Sequence, residues 1–280
     1  MITAEQERAF YDSQYAPFLA LPGHALRIDR AVLEKNLSNP SHPFFERARL
    51  YRAAMAELES VPLRGLNVLD YGCGPGDFGL WMASEGANVT ALDLSPAAIE
   101  LVQKRAAASG VTVRGIAADA AALPMLGDGE FDLVFGCAAV HHTLKYPGAL
   151  QELARVVRPA GQLVLAETWG ENPALRAARW LRAKLGGEAE EQGEEIVFTM
   201  LEISLLRVYF HPVAVRHLNL FAMAKRLLRG RFHSPAARAL LRSLEGLDGM
   251  VLSLVPPTKR WCGEAVIVGS RNRQLPKMAE

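Results

Sequence analysis

One ten-residue stretch constrains this chain more than any other: Val68-Leu69-Asp70-Tyr71-Gly72-Cys73-Gly74-Pro75-Gly76-Asp77. An apolar run ends in an acid, and three glycines follow at alternate positions. Glycine reaches backbone conformations closed to other residues and leaves room for a ligand against the main chain. A helix beginning just after such a loop offers free amides to that ligand. The pattern therefore predicts strand, binding turn and helix, the opening unit of an α/β sheet. A dinucleotide loop, Gly-x-Gly-x-x-Gly, carries its third glycine one residue later. Here that place is taken by Asp77, and Asp70 precedes the loop, an acid better suited to a cationic amino group than to a pyrophosphate. An amino-acid-bearing nucleoside fits the loop better than a nicotinamide dinucleotide.

The next hundred residues repeat the alternation. Strands are predicted at 67–70, 88–92, 111–116, 131–135 and 161–166, with helices at 77–85, 96–109 and 147–157. The second helix opens with Ser95 as N-cap and Pro96 at the first helical position. Ile99, Val102 and Ala106 form its apolar face, and Leu101, Arg105 and Ser109 a mixed one. Strands this short and this apolar are expected where both faces of a parallel sheet are covered. Further strands at 213–221 and 263–269 bring the total to seven.

These motifs resemble those of the class I S-adenosylmethionine (SAM) dependent methyltransferases. Asp70-x-Gly72-x-Gly74-x-Gly76 is similar to the family's first motif, which holds the methionine end of SAM. Asp93, in Ala91-Leu92-Asp93-Leu94-Ser95, matches the acid that pairs with both ribose hydroxyls, and a carboxylate can accept two such bonds. Asp119 matches the acid that takes the adenine amino group. Phe131-Asp132-Leu133-Val134-Phe135 is similar to the fourth-strand motif, and the stretch from Leu153 to Leu163 to the turn into the fifth strand, with Ala160 where the family's Pro-Gly-Gly has its first glycine. The resemblance implies a Rossmann-like, doubly wound seven-stranded sheet, mostly parallel with the last strand antiparallel. It implies SAM as cofactor, held by Tyr11, Asp70, Gly72, Cys73, Gly74, Gly76, Asp93, Leu94, Asp119, Ala120 and Cys137. Methyl transfer to a small-molecule, biosynthetic acceptor is the function it implies. Nucleic-acid or protein methylation and a NAD-dependent oxidoreductase are the alternatives.

Methyl transfer from a sulfonium is an in-line displacement, so positioning supplies most of the rate. Catalytic candidates lie after strands four and five, where an open α/β sheet binds its ligands. His141 and His142 follow strand four, and imidazole titrates near neutral pH. The alternative is one histidine bonded to backbone and one lining the pocket. Glu167, ending strand five, is placed either to hydrogen-bond the substrate or to cap the helix that Asn172-Pro173 begins. Tyr11 and Tyr15, in an aromatic leading segment, either fold over the cofactor as a lid or pack as an ordinary helix. Nothing suggests a metal.

The 280 residues are read as a single domain: a helical lead-in at 1–65, a SAM-binding core at 66–169, a helical insertion at 170–212, and a C-terminal strand pair at 213–270. A helix through 44–58 follows Pro40 and Pro43. Helix 172–185 is expected to set Arg176, Arg179, Arg182 and Lys184 mostly opposite Leu175, Leu181 and Leu185, and 186–195 is an acidic loop. The interval 222–262 interleaves Lys225, Arg226, Arg229, Arg231, Arg238 and Arg242 with leucines. It reads as a packed helical insertion, as a surface for peripheral membrane contact, or as a holder of an anionic substrate. Substrate choice is expected from these surplus pieces. Lys and Arg total 31 against 30 acids, a net charge of +1, which argues against a nucleic-acid partner. Three scattered cysteines and no apolar leader predict a cytoplasmic protein with reduced thiols.

Overall fold

The computed structural model describes residues 3–146, 148–184 and 197–273. The acidic loop at 186–195 and Leu185 lie outside them. In chain order the helices and strands are α1 (Ala4–Tyr15), α2 (Gly23–Leu26), α3 (Arg30–Ser38), α4 (Ala48–Leu58), β1 (Asn67–Tyr71), α5 (Asp77–Ser84), β2 (Asn88–Asp93), α6 (Pro96–Ser109), β3 (Val113–Ala117), β4 (Phe131–Cys137), α7 (Val140–Thr143), α8 (Ala149–Val156), β5 (Val157–Thr168), α9 (Pro173–Lys184), α10 (Met200–Tyr209), β6 (Phe210–Leu218), α11 (Pro235–Leu254) and β7 (Glu264–Arg271).

The seven strands form one sheet in the order β3-β2-β1-β4-β5-β7-β6. All pairs from β3 to β5 are parallel, and β7 runs antiparallel to both β5 and β6. Alternate side chains feed two cores, because successive residues of a strand point to opposite faces. Val68, Leu133, Val164 and Val266 join the core under α3, α4, α5 and α6. Leu69, Val134, Leu163 and Ile267 join the one under α7, α8 and α10. Each fully buried leucine or phenylalanine contributes about 1.5–3 kcal/mol of transfer free energy, which explains why these strands read as almost continuous apolar runs.

Element ends differ from the sequence expectation where a backbone turn intervenes. The strand expected at 213–221 ends at Leu218, because Asn219 turns left-handed at φ 64°. The fifth strand starts at Val157 and carries Ala160 at φ 62°. Leu181, expected on the buried face of α9, is 53% exposed. The 222–262 interval is helical, as expected, with its own small core of Ala222, Phe232 and Leu241 against Phe45. It is pinned to the sheet through polar groups. Asp248, fully buried, accepts from Arg49 and from the amides of Leu220 and Phe221, and Lys225 pairs with Glu264 at 2.9 Å.

Candidate active site

A cavity of about 280 Å³ opens at the C-terminal ends of β1, β2 and β4, under α1. Its polar wall is the glycine loop and the carboxylates of Asp70, Asp93 and Asp119. Gly72 sits at φ 65°, and a Cβ there would come within 2.4 Å of Ala139 Cβ, so the turn excludes any other residue.

Asp70 is 3% exposed and accepts the amide of Gly79 at 3.0 Å. Burial pushes its pKa up to about 7, the Gly79 bond pulls it down, and the nearby Asp93 and Asp77 push it up again. Asp93 accepts the amides of Gly74 at 2.8 Å and Ser95 at 2.9 Å, one on each oxygen. Each oxygen keeps a second lone pair. Burial raises this carboxyl too. Asp119 accepts the amide of Ala121 at 2.9 Å. Leu94, Ala120, Cys73 and Cys137 complete this side of the wall. Burial holds both thiols protonated, Cys137 at about 12.

Three sequence candidates stand off the cavity wall. Gly76 is the left-handed N-cap of α5 and faces Val102, where a Cβ would meet Cγ2 at 2.7 Å. His141 and Glu167 are buried behind the wall: His141 Nδ1 lies 2.7 Å from Glu167 Oε2. Oε1 of Glu167 accepts the amides of Ala139 and Val140, at 3.3 and 3.0 Å. Glu167 therefore caps α7 rather than reaching the crevice or α9, whose start is capped by Asn172 itself. That cap places His142 on the cavity wall, 22% exposed, with Nδ1 at 3.1 Å from Glu7 and Nε2 at 3.5 Å from the Tyr11 hydroxyl.

The leading helix contributes Ala4, Glu7, Tyr11 and Tyr15 to the cavity lining. Tyr11 and Tyr15 stack at 6.1 Å and both line the cavity. Asp12 accepts the amide of Ala97 at 3.1 Å and the Ser95 hydroxyl, so α1 adds a second cap to α6. Burial pushes the Glu7 carboxyl up, but His142 and Lys145 outweigh it and hold it below the usual range.

Several supporting residues escaped the sequence reading. Arg105, expected on a mixed helix face, is 9% exposed and clamps the loop with two parallel bonds to Asp77, at 2.8 and 3.0 Å, and a third to the Pro75 carbonyl. The burial comes from the 26–28 segment lying over that face, where Arg105 and Ser109 bond the Leu26 carbonyl and Ile28 amide. Its signal in the sequence was its place one turn after Leu101, an apolar residue on the same side of the helix. Tyr71 joins the Ala120 carbonyl at 2.8 Å to Thr143 at 3.0 Å.

Away from the acids, four rings line the cavity: Phe44, Tyr51, Phe78 and Phe135. Successive ring centroids lie 5.1, 5.5 and 4.9 Å apart. Arg47 lies over Tyr51 at 5.8 Å and reaches Glu264 at 3.5 Å. Two of these rings come from the N-terminal lead-in, whereas no described residue beyond Tyr146 lines the cavity. Of the surplus pieces from which substrate choice is expected, the lead-in therefore reaches the cavity and the described residues of the 170–212 and 222–262 insertions do not. The arginines of the second insertion face elsewhere. Among the described residues no group of His, Cys, Asp and Glu has the arrangement of a metal site.

Strand order, glycine loop and strand-end acids define a class I, Rossmann-like methyltransferase fold, and residues 68–161 match the family model of a methyltransferase domain. The chain is similar to such domains over that stretch. It is 38% identical over 118 residues to a demethylmenaquinone methyltransferase from Thermus thermophilus, covering 41% of this chain and 52% of that one. With a malonyl-[acyl-carrier protein] O-methyltransferase from Halorhodospira halophila it shares 34% over 174 residues, 60% of this chain and 58% of the other. The chain thus spans little more than half the length of these relatives. A phosphoethanolamine N-methyltransferase 2 from Haemonchus contortus, solved with SAM, has the same fold at TM-score 0.53 and 17% identity, covering 80% of this chain and 53% of that one.

Proposed function

We propose that this chain transfers a methyl group from SAM to a small-molecule acceptor with an apolar, ring-sized body. One observation carries the reading: a single cavity joins three carboxylates at neighbouring strand ends to a row of four aromatic rings. The residues fit SAM. Gly72 leaves space where a Cβ would collide with Ala139, Asp93 has lone pairs to spare for two hydroxyls, and Asp70 is a buried carboxyl whose charged neighbours include the acids Asp93 and Asp77. Asp70 would receive the amino group, Asp93 the ribose and Asp119 the adenine amine. When bound, SAM supplies an electrophilic methyl on a sulfonium.

The chain's own work is positional. Phe44, Tyr51, Phe78 and Phe135 hold an apolar acceptor by stacking and edge contacts, and α1 keeps water from the cavity. Oriented confinement of two reactants is worth several kcal/mol of barrier. Where the acceptor is a hydroxyl, His142 is the cavity-lining imidazole able to take its proton. The two curated relatives, named for a menaquinone precursor and a carrier-bound malonyl group, support a small acceptor.

Equilibrium binding of SAM, its demethylated product and NAD is the test. The reading expects SAM and product to bind and NAD not to. Tight NAD binding without SAM binding ends it.

A further inference from the structure

We propose that α11 and the turns flanking it dock onto an anionic lipid bilayer, with the helix lying in the interface. At about 100° per residue, Ala236, Ala239, Leu240, Ser243, Leu247, Met250 and Leu254 fall within an arc of roughly 120°. No charge interrupts that arc, and all seven residues are exposed: Leu240 is 50%, Met250 53% and Leu254 73% accessible. The buried side of the same helix is Ala237, Leu241, Asp248 and Leu252. Large apolar side chains continue outward beyond both ends, with Leu227 81% exposed before the helix and Val255 and Trp261 exposed after it. Single exposed leucines are ordinary, but a continuous apolar helix face marks an interaction surface.

Charge selects the occupant. Between residues 226 and 260 stand Arg226, Arg229, Arg231, Arg238, Arg242, Lys259 and Arg260, against Glu245 and Asp248, with Arg229 also bonded to Glu46 and Lys225 buried against Glu264. Asp248 is buried and already bound to Arg49. Arg238 and Arg242 lie well round the helix from the apolar stripe, beside a groove of about 870 Å³ whose other arginines, Arg49, Arg52 and Arg216, already pair with Asp248, Glu34 and Glu57. The exposed cations of the flanking turns are Arg231, Lys259 and Arg260. A symmetric pair of chains would bring two sets of these flanking cations together, which costs rather than gains. An anionic leaflet attracts them. Trp261, with the Arg260 guanidinium 5.1 Å from its ring, has the aromatic–cation character of a residue at the headgroup level. No described helix is long and apolar enough to cross a membrane, so the contact is peripheral.

This inference is independent of methyl transfer, and its test uses the intact chain with vesicles of phosphatidylcholine alone or mixed with phosphatidylglycerol. The protein is expected to sediment with the mixed vesicles at low salt and to be released at high salt. The double variant L240E/L247E, checked for folding by circular dichroism and thermal melting, is expected to lose binding at least tenfold, and the triple variant R231Q/K259Q/R260Q to weaken it. Three results would overturn the proposal: no sedimentation with mixed vesicles at low salt, unchanged binding by L240E/L247E, or a dimer by sedimentation equilibrium that L240E/L247E dissolves. The last would assign the face to a second copy.

Discussion

Nδ1 of His141 and Oε2 of Glu167 meet at 2.7 Å behind the cavity wall, where neither residue is more than 5% exposed. The same carboxylate holds the amides of Ala139 and Val140, so one side chain orients a histidine and starts the short helix carrying its neighbour. Replacing Glu167 by Ala strands two buried amides and an imidazole. Each unsatisfied buried group costs about 1–3 kcal/mol, and partial relaxation with water entry brings the expected loss to about 2–4 kcal/mol. Urea unfolding measures it. His142→Gln, at the cavity edge, is expected to cost less than half as much, and a loss equal to that of Glu167→Ala would contradict the placement.

Assigning the SAM amino group to Asp70 predicts that binding depends on pH. Its carboxyl is raised to about 7, so the charged form that receives a cation is depleted below that pH. Affinity for SAM is therefore expected to rise with pH through 7 and level off above it. At pH 6 about a tenth of the group is ionised, for a roughly tenfold weaker Kd. Titration calorimetry at pH 6 and pH 8 tests this, with Asp70→Asn expected to bind weakly and show no pH step. A wild-type Kd that is flat with pH contradicts the assignment.

Glu7 ties α1 to the cavity through His142 and Lys145, at 3.1 and 3.4 Å. Arg8 beside it is exposed and offers trypsin a site when α1 opens. Cleavage of this kind follows the population of the open state. Saturating SAM is expected to slow cleavage after Arg8, and Glu7→Ala to speed it in the free protein. Equal rates in all three samples, read by mass spectrometry, would show that α1 is not a lid.

Ala160 occupies a left-handed turn at φ 62° where a Cβ crowds the following carbonyl. That conformation costs a non-glycine residue about 1–2 kcal/mol, partly returned by the entropy glycine loses on folding. Ala160→Gly is expected to raise Tm by about 2 °C without changing SAM affinity. Calorimetric scans decide it, and a fall in Tm would mean the turn is unstrained.

Local pattern was enough to read the glycine loop, the acids after three strands and the seven strands themselves. Each depends on residues adjacent in the chain: an apolar run, a turn residue, a cap. Tyr11 and Tyr15 were legible as an aromatic leading segment, with a lid and ordinary helix packing both open, because what that segment packs on is not written in its own residues. Phe44 and Tyr51 were not, because nothing in their own stretch says that α4 lies across β5 and β7 with one side toward the cavity. The histidine pair was legible only as a pair. Which member faces the cavity depends on Glu167, 26 residues beyond His141.

By itself, then, the sequence determined the sheet, its loop and the carboxylates at its edge, since strand, turn and cap are written in short-range periodicity. Tertiary structure decided the rest. Burial against the 26–28 segment turned Arg105 from a residue on a mixed helix face into the clamp on Asp77, and packing of the lead-in brought Phe44 and Tyr51 beside Phe78 and Phe135. In the sequence the leucines of α11 are compatible with a packed insertion and with a membrane-facing surface alike. Only the packed fold, in which the buried side of that helix is already taken by Leu241, Asp248 and Leu252, leaves the stripe facing outward.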